Sequence, residues 1–170
     1  MPYCQLFYHC IWATKNRQPF ITASVESILY SFMRSKAIGL GGILFALNGV
    51  EDHIHMAVSI PASVAVSTFI GQVKGVASAH FNKGRDPLAA RFEWQDEYGA
   101  FSFDGKRLSN VIAYVENQKQ HHAQHTTIPI LERTSGDINL LLKETSVGYL
   151  VEDYAWRAEM LALDVMSTPP

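Results

Sequence analysis

Apolar and polar positions along this 170-residue chain follow two periods, and the switches between them divide it into elements. Leu6 to Thr14 (LFYHCIWAT) is dense in aromatic and β-branched residues, which suit a pleated surface and predict a strand. It runs into Lys15-Asn16-Arg17-Gln18-Pro19, a polar and basic turn. The period then lengthens: Val25, Ile28, Leu29, Phe32 and Met33 mark a helix, with Thr22 or Ser24 placed to cap it and Glu26 close behind. Gly39-Leu40-Gly41-Gly42 stops that helix. Ile43 to Leu47 predicts a second strand, Asn48-Gly49 a tight hairpin turn, and His53 to Ile60 a third strand closed by Pro61. Val64 to Phe81 returns to helical spacing, broken by Asn82-Lys83-Gly84-Arg85-Asp86-Pro87. Phe92 to Phe103 predicts a strand pair or one bent strand interrupted at Tyr98-Gly99. Leu108 to about Gln120 predicts a last helix.

Strand-helix-strand-strand-helix-strand, followed by one more helix, is the order of an α+β, ferredoxin-like split βαβ fold. Its antiparallel sheet carries helices on one face and leaves the other for a ligand or a second subunit. From about residue 126 the pattern changes to an acidic stretch, then Leu140-Leu141-Leu142 and an aromatic run with Tyr149, Tyr154 and Trp156. The expected organisation is a body over residues 1–125 and a C-terminal extension over 126–170 that packs on the body or on a partner.

Composition adds limits. With 48% apolar residues there is material for a real core. No run of eighteen apolar residues occurs, so no membrane-spanning helix is expected. Met1-Pro2-Tyr3-Cys4-Gln5 lacks the basic-then-apolar pattern of a secretory signal, which points to the cytoplasm. Cys4 and Cys10 sit six apart in one predicted strand, roughly 20 Å from each other, too far for a disulfide; they are expected to be free, buried thiols. The net charge of −2 hides an uneven distribution, +2 over residues 1–125 and −4 over 126–170. That balance allows a DNA groove on one face without requiring it.

Two patterns carry chemistry. In His53-Ile54-His55, two residues apart on a strand, both imidazoles point to one side and can converge on a divalent ion, while Ile54 faces the core. Asp52 could orient one of the rings. In Tyr114-Val115-Glu116-Asn117-Gln118, Tyr114, Asn117, Gln118 and His121 form one helical stripe beside an apolar stripe of Leu108, Ile112 and Val115. An exposed tyrosine there is a candidate nucleophile, and Gln118 could bring a carbonyl oxygen as third ligand. Two imidazoles and one amide oxygen leave positions for phosphate oxygens and water, a set that suits Mg²⁺ or Mn²⁺ better than a closed zinc site. Lys15, Arg17, Lys74, Arg91, Lys106 and Arg107 are candidate phosphate contacts. Trp12, Phe92 and Trp94 could stack on bases, although strand aromatics mostly serve the core. His9 and His80 read as structural.

The chain resembles the HUH-type single-tyrosine transposases of small bacterial insertion sequences and their REP-associated relatives. The resemblance rests on Tyr8-His9-Cys10-Ile11-Trp12-Ala13-Thr14-Lys15, Gly49-Val50-Glu51-Asp52-His53-Ile54-His55-Met56 and Phe69-Ile70-Gly71-Gln72-Val73-Lys74-Gly75. It continues through Trp94-Gln95, Tyr98-Gly99-Ala100-Phe101-Ser102 and Tyr114-Val115-Glu116-Asn117-Gln118 with His121-His122. It implies a metal bound by His53, His55 and Gln118, and Tyr114 as the nucleophile. It further implies a homodimer in which the tyrosine helix serves either its own or the partner's site, acting on single-stranded DNA with hairpin ends. The reaction it implies runs through a 5′-phosphotyrosine with a free 3′-hydroxyl, needing no nucleotide cofactor. The sequence does not identify the base for the phenol; His121 is one candidate. Two other readings stay open: a non-catalytic single-strand nucleic-acid binder, and a replication or conjugation nickase with the same site.

Overall fold

The computed structural model describes residues 3–136 apart from 84, 87 and 88. Its regular elements are β1 (Phe7–Ala13), α1 (Ala23–Gly39), β2 (Ile43–Gly49), β3 (His53–Ser59), α2 (Val66–Asn82), β4 (Gly99–Phe103), α3 (Leu108–Glu116) and α4 (Gln118–Gln124). The strands form one sheet in the order β2-β3-β1-β4, with every pairing antiparallel. This is the expected split βαβ arrangement. The leucine and aromatic runs of the extension lie outside the described residues. Among the described residues no helix is long and apolar enough to cross a membrane.

Side-chain alternation explains the two faces. On one face Cys10, Trp12, Ile54, Met56 and Val58 pack beneath α1 and α2, against Leu29, Met33, Phe69, Ile70 and Val73. Each large side chain fully buried there contributes about 1.5–3 kcal/mol. The intervening positions face the other way, where the register pairs His9 with Ala57, Ile11 with His55 and Ala13 with His53. The face left open in the sequence reading is in part covered by α3. Val111 and Val115 sit on Ala46 and Ala57, with Phe45, Phe103 and Ile112 around them.

Several local expectations need correction. The β2–β3 turn falls at Val50-Glu51-Asp52, not at Asn48-Gly49, which complete β2. Asn48 is needed elsewhere, since its side-chain amide donates to the carbonyl of Glu116 at 2.6 Å. Gly49 is a matter of space: a Cβ there would lie 2.2 Å from the carbonyl oxygen of His53. The region from Phe92 contributes an isolated bridge, Thr14 with Trp94, before β4 begins at Gly99. Phe92 and Trp94 are core residues packed on each other and, through Trp94, on Trp12. The last helix is two, divided at Asn117, whose side chain donates to the carbonyl of Ala113 at 2.8 Å and competes with the helical pattern. Cys4 precedes β1 and is exposed; Cys10 alone is a buried thiol.

Candidate active site

His53 and His55 stand side by side on β3, both buried, with ring centroids 5.1 Å apart. Their outer nitrogens are fixed by neighbours. Nδ1 of His53 lies 2.6 Å from Asp52 Oδ1, as the sequence suggested, and Nδ1 of His55 lies 2.8 Å from Nε2 of His9 on β1. A ring that donates through Nδ1 keeps its lone pair on Nε2. His53, facing a carboxylate, donates in this way; His55 does so in the tautomer that donates to His9, and both Nε2 atoms face one shared space. Arg17 reaches the same corner, its guanidinium 3.2 Å from Asp52 Oδ2 and 3.4 Å from His53 Nδ1. To do so the chain after β1 turns through left-handed backbone at Asn16 and Arg17. Asparagine tolerates that conformation far better than arginine.

Tyr114 comes to this space from α3. Where the helical stripe predicts an exposed tyrosine, the side chain is 2% exposed, packed with Ile128 and Leu131. The reason lies in residues 126–136, which return across the sheet after α4. A 3₁₀ turn, Pro129–Glu132, seats the two apolar side chains over the tyrosine. The phenol donates to Glu132 Oε1, and its oxygen accepts the backbone N–H of Ile128 at 3.0 Å. Its ring lies 6.0 Å from that of His55. The next backbone carbonyl, of Arg133, occupies the place a Cβ on Gly99 would need, only 2.1 Å away.

Gln118 at the start of α4 is fully buried; its amide nitrogen reaches the Tyr114 carbonyl at 3.3 Å while Oε1 has no hydrogen-bond partner. Nε2 of His53, His55 and His122 are likewise buried without one. Buried polar atoms are nearly always hydrogen-bonded, so such orphans call for another partner. One ligand atom from each of His53, His55, His122 and Glu132 lies within 4.8 Å of all the others. The donor set fits a divalent cation. Sequence reasoning gave no role to His122 or Glu132. His122 adjoins the suggested His121, whereas Glu132 lay in a segment with no local pattern to mark it.

Electrostatics follow from burial and from this cluster. Burial pulls His55 down to about 4, and pulls His9 well below the ordinary imidazole range. His53 is also penalised by burial, but the carboxylates of Asp52 and Glu132 outweigh it and raise its value. Burial, then His53, lowers His122. Burial and the Glu132 charge push the Tyr114 phenol above its ordinary value. Glu132 itself, though desolvated, is held far below the usual carboxylate range by His53 and His55.

The predicted basic residues divide. Arg17 lines an open groove of about 760 Å³ with Asp52, Lys119 and His122, next to the cluster. Lys15, Lys74 and Arg91 line a second, of about 520 Å³, with Trp94. Lys15 is paired with Glu93 at 2.5 Å, and the Lys74 ammonium sits on the carbonyls of Gln95, Asp96 and Glu97. Lys106 and Arg107 belong to a short turn capped by Asp104. His121 faces Thr126 at 3.0 Å, its ring 4.9 Å from that of Tyr114.

The family model described as "Transposase IS200 like" matches residues 3–118. The chain is 23% identical over 118 residues to the ISDra2 transposase TnpA of Deinococcus radiodurans, covering 67% of this chain and 84% of that one. Among solved structures, a transposase from Deinococcus radiodurans R1 aligns with TM-score 0.55 and 24% identity, over 69% of this chain and 95% of its own. A REP-associated tyrosine transposase bound to a REP hairpin aligns with TM-score 0.55 and 12% identity, over 72% and 74%.

Proposed function

This chain belongs to the IS200-like transposase family, and from that premise we propose that it cuts and rejoins single-stranded DNA through Tyr114 at a divalent-metal site. The observation that carries the proposal is a convergence: the Tyr114 hydroxyl and the Nε2 atoms of His53 and His55 all face one carboxylate, Glu132, within a single chain. His53, His55 and Gln118 would hold the ion, Mg²⁺ or Mn²⁺. When bound it would polarise the scissile phosphate and offset charge growing on its oxygens.

The chain's own groups supply the rest. His9 and Asp52 fix the two imidazoles, so their lone pairs need no reorganisation. Attack by Tyr114 Oη forms a bond to phosphorus and breaks the bond to the 3′-oxygen, giving a 5′-phosphotyrosine and a 3′-hydroxyl. A 3′-hydroxyl then attacks that ester and regenerates the tyrosine. Bond energy is conserved, so no nucleotide cofactor is required. A phenol with a raised pKa needs an acceptor for its proton; Glu132 Oε1 accepts its hydrogen bond, but a carboxylate held so far below its usual range positions the hydroxyl rather than taking its proton. The groove holding Arg17, Lys119 and His122 adjoins the cluster through Asp52 and His122, and its two cations stand among the carboxylates of Glu26, Glu51 and Asp52. By analogy with the hairpin-bound relative, hairpin-forming ends are the proposed substrate. Each copy in the homodimer implied by the resemblance would carry its own complete site.

A binding-only role is the competing reading, and the enclosure of Tyr114 favours it, because phosphate must reach Oη for any reaction. Incubation with single-stranded DNA from the borders of the gene, with Mn²⁺ or Mg²⁺, separates the two on a denaturing gel. The wild-type protein is expected to form a covalent adduct and Tyr114→Phe none, both still binding DNA. No adduct with either protein would leave the binder.

A further inference from the structure

The residues just proposed to hold the metal, His53, His55 and Gln118, all fall within the span matched by the family, residues 3–118. Two members of the four-residue cluster do not: His122 on α4, and Glu132 in the returning segment.

Glu132 Oε2 stands 3.2 Å from Nε2 of His53, 3.2 Å from Nε2 of His55 and 3.5 Å from Nε2 of His122. None of these nitrogens is aligned for a hydrogen bond with it, although its charge acts on all three. Spacing of hydrogen-bond length without hydrogen-bond alignment is unusual for a carboxylate among imidazoles. It is, however, the spacing that the Glu132 oxygen and each imidazole would have as neighbouring ligands on one ion. Atoms about 2.1 Å from a common centre stand roughly 3.0 Å apart at right angles and roughly 3.4 Å apart at the tetrahedral angle.

The carboxylate is also built into place. Ile128 and Leu131 anchor its turn on Tyr114, and the Arg133 carbonyl that follows fills the space left by Gly99 on β4. Its second oxygen, Oε1, is engaged by the Tyr114 hydroxyl.

We infer that Glu132 and His122 are themselves metal ligands, so that three imidazoles and one carboxylate join the Gln118 amide oxygen, and that Glu132 ties the hydroxyl of Tyr114 to that set. The inference rests on the metal reading above and extends it. Three imidazole nitrogens suit Mn²⁺ better than Mg²⁺, which prefers oxygen and gives up water reluctantly. The site therefore prefers Mn²⁺ to Mg²⁺, and the working unit runs past residue 125 to include residues 126–133.

Titrating Mn²⁺ alone into the full chain, read by the electron paramagnetic resonance signal of the free ion, tests this without DNA. The wild-type protein is expected to bind Mn²⁺ that about a tenfold excess of Mg²⁺ fails to displace. Glu132→Gln and His122→Ala should each weaken binding by about tenfold or more, since even groups that only orient ligands are worth that much. Spin-echo modulation of Mn²⁺ bound to wild-type protein should count three imidazole nitrogens, a reading independent of whether any variant folds. Unchanged affinity in both variants, or only two imidazoles, overturns the inference; loss of Mn²⁺ by His55→Ala would then show that the two-histidine reading survives. Failure of the wild-type protein to bind Mn²⁺ overturns both.

Discussion

At the scale of single residues, the consequence of burial is clearest at His55. With its value near 4, against an ordinary 6.5, this imidazole takes up a proton more readily when the chain is unfolded. Its share of stability in the metal-free protein is therefore complete above about pH 6.5. It is lost as pH falls toward 4, by roughly 3 kcal/mol. His9 acts in the same direction. His53 runs the other way: raised by Asp52 and Glu132 against burial, its contribution is complete below 6.5 and fades as pH climbs above that. Calorimetry in chelator should find Tm falling on acidification from pH 6.5 to 4; a flat or rising Tm would contradict a neutral, enclosed His55. The His-x-His pair could be read from sequence because strand period alone puts both rings on one side. Glu132 could not be, since its place depends on where a returning segment lands, fourteen positions after Gln118.

Elements are held by what their apolar stripes meet. α3 rests on β2 and β3 through Val111 and Val115, while Asn48 bonds its C-terminal carbonyl and Lys119 joins α4 to Glu26 and Asn48. Val115→Ala removes two buried methyl groups and is expected to cost about 1.5–2 kcal/mol. Urea unfolding measures this directly. Adduct formation by the surviving folded protein should fall as well, because the tyrosine is carried on that helix. A loss below about 0.5 kcal/mol would mean that α3 is fixed from elsewhere. Strand and helix order was legible because periods of 2 and 3.6 differ plainly in this chain. Turn placement was less so: Asn48-Gly49 has the composition of a hairpin turn, but the strand uses the asparagine as a tether and the glycine for close approach. The region from Phe92 is aromatic enough to suggest a strand, yet its aromatic side chains belong to the core between sheet and helices, with a bridge at Trp94 alone.

For the whole molecule the question is whether one chain suffices for one site. Tyr114, His53, His55 and Glu132 all meet within a single copy, with Gln118 one turn on from the tyrosine and bonded to its backbone carbonyl. Mixing Tyr114→Phe with His55→Ala protein should therefore restore no adduct formation, each copy lacking a part the other cannot lend. Recovery of activity in the mixture would show exchange of helices between copies. The resemblance left this point open, because sequence order says nothing about which copy a helix docks on. The turn at Pro129–Glu132 has a practical bearing on how the protein is shortened for study. A chain stopped after α4 would keep its sheet, its imidazoles and its tyrosine, and would look well folded in a circular dichroism spectrum. Stripped of Ile128, Leu131 and Glu132, however, the phenol would meet bulk water and drift back toward its ordinary value of 10, leaving a wet notch where a covered hydroxyl had been.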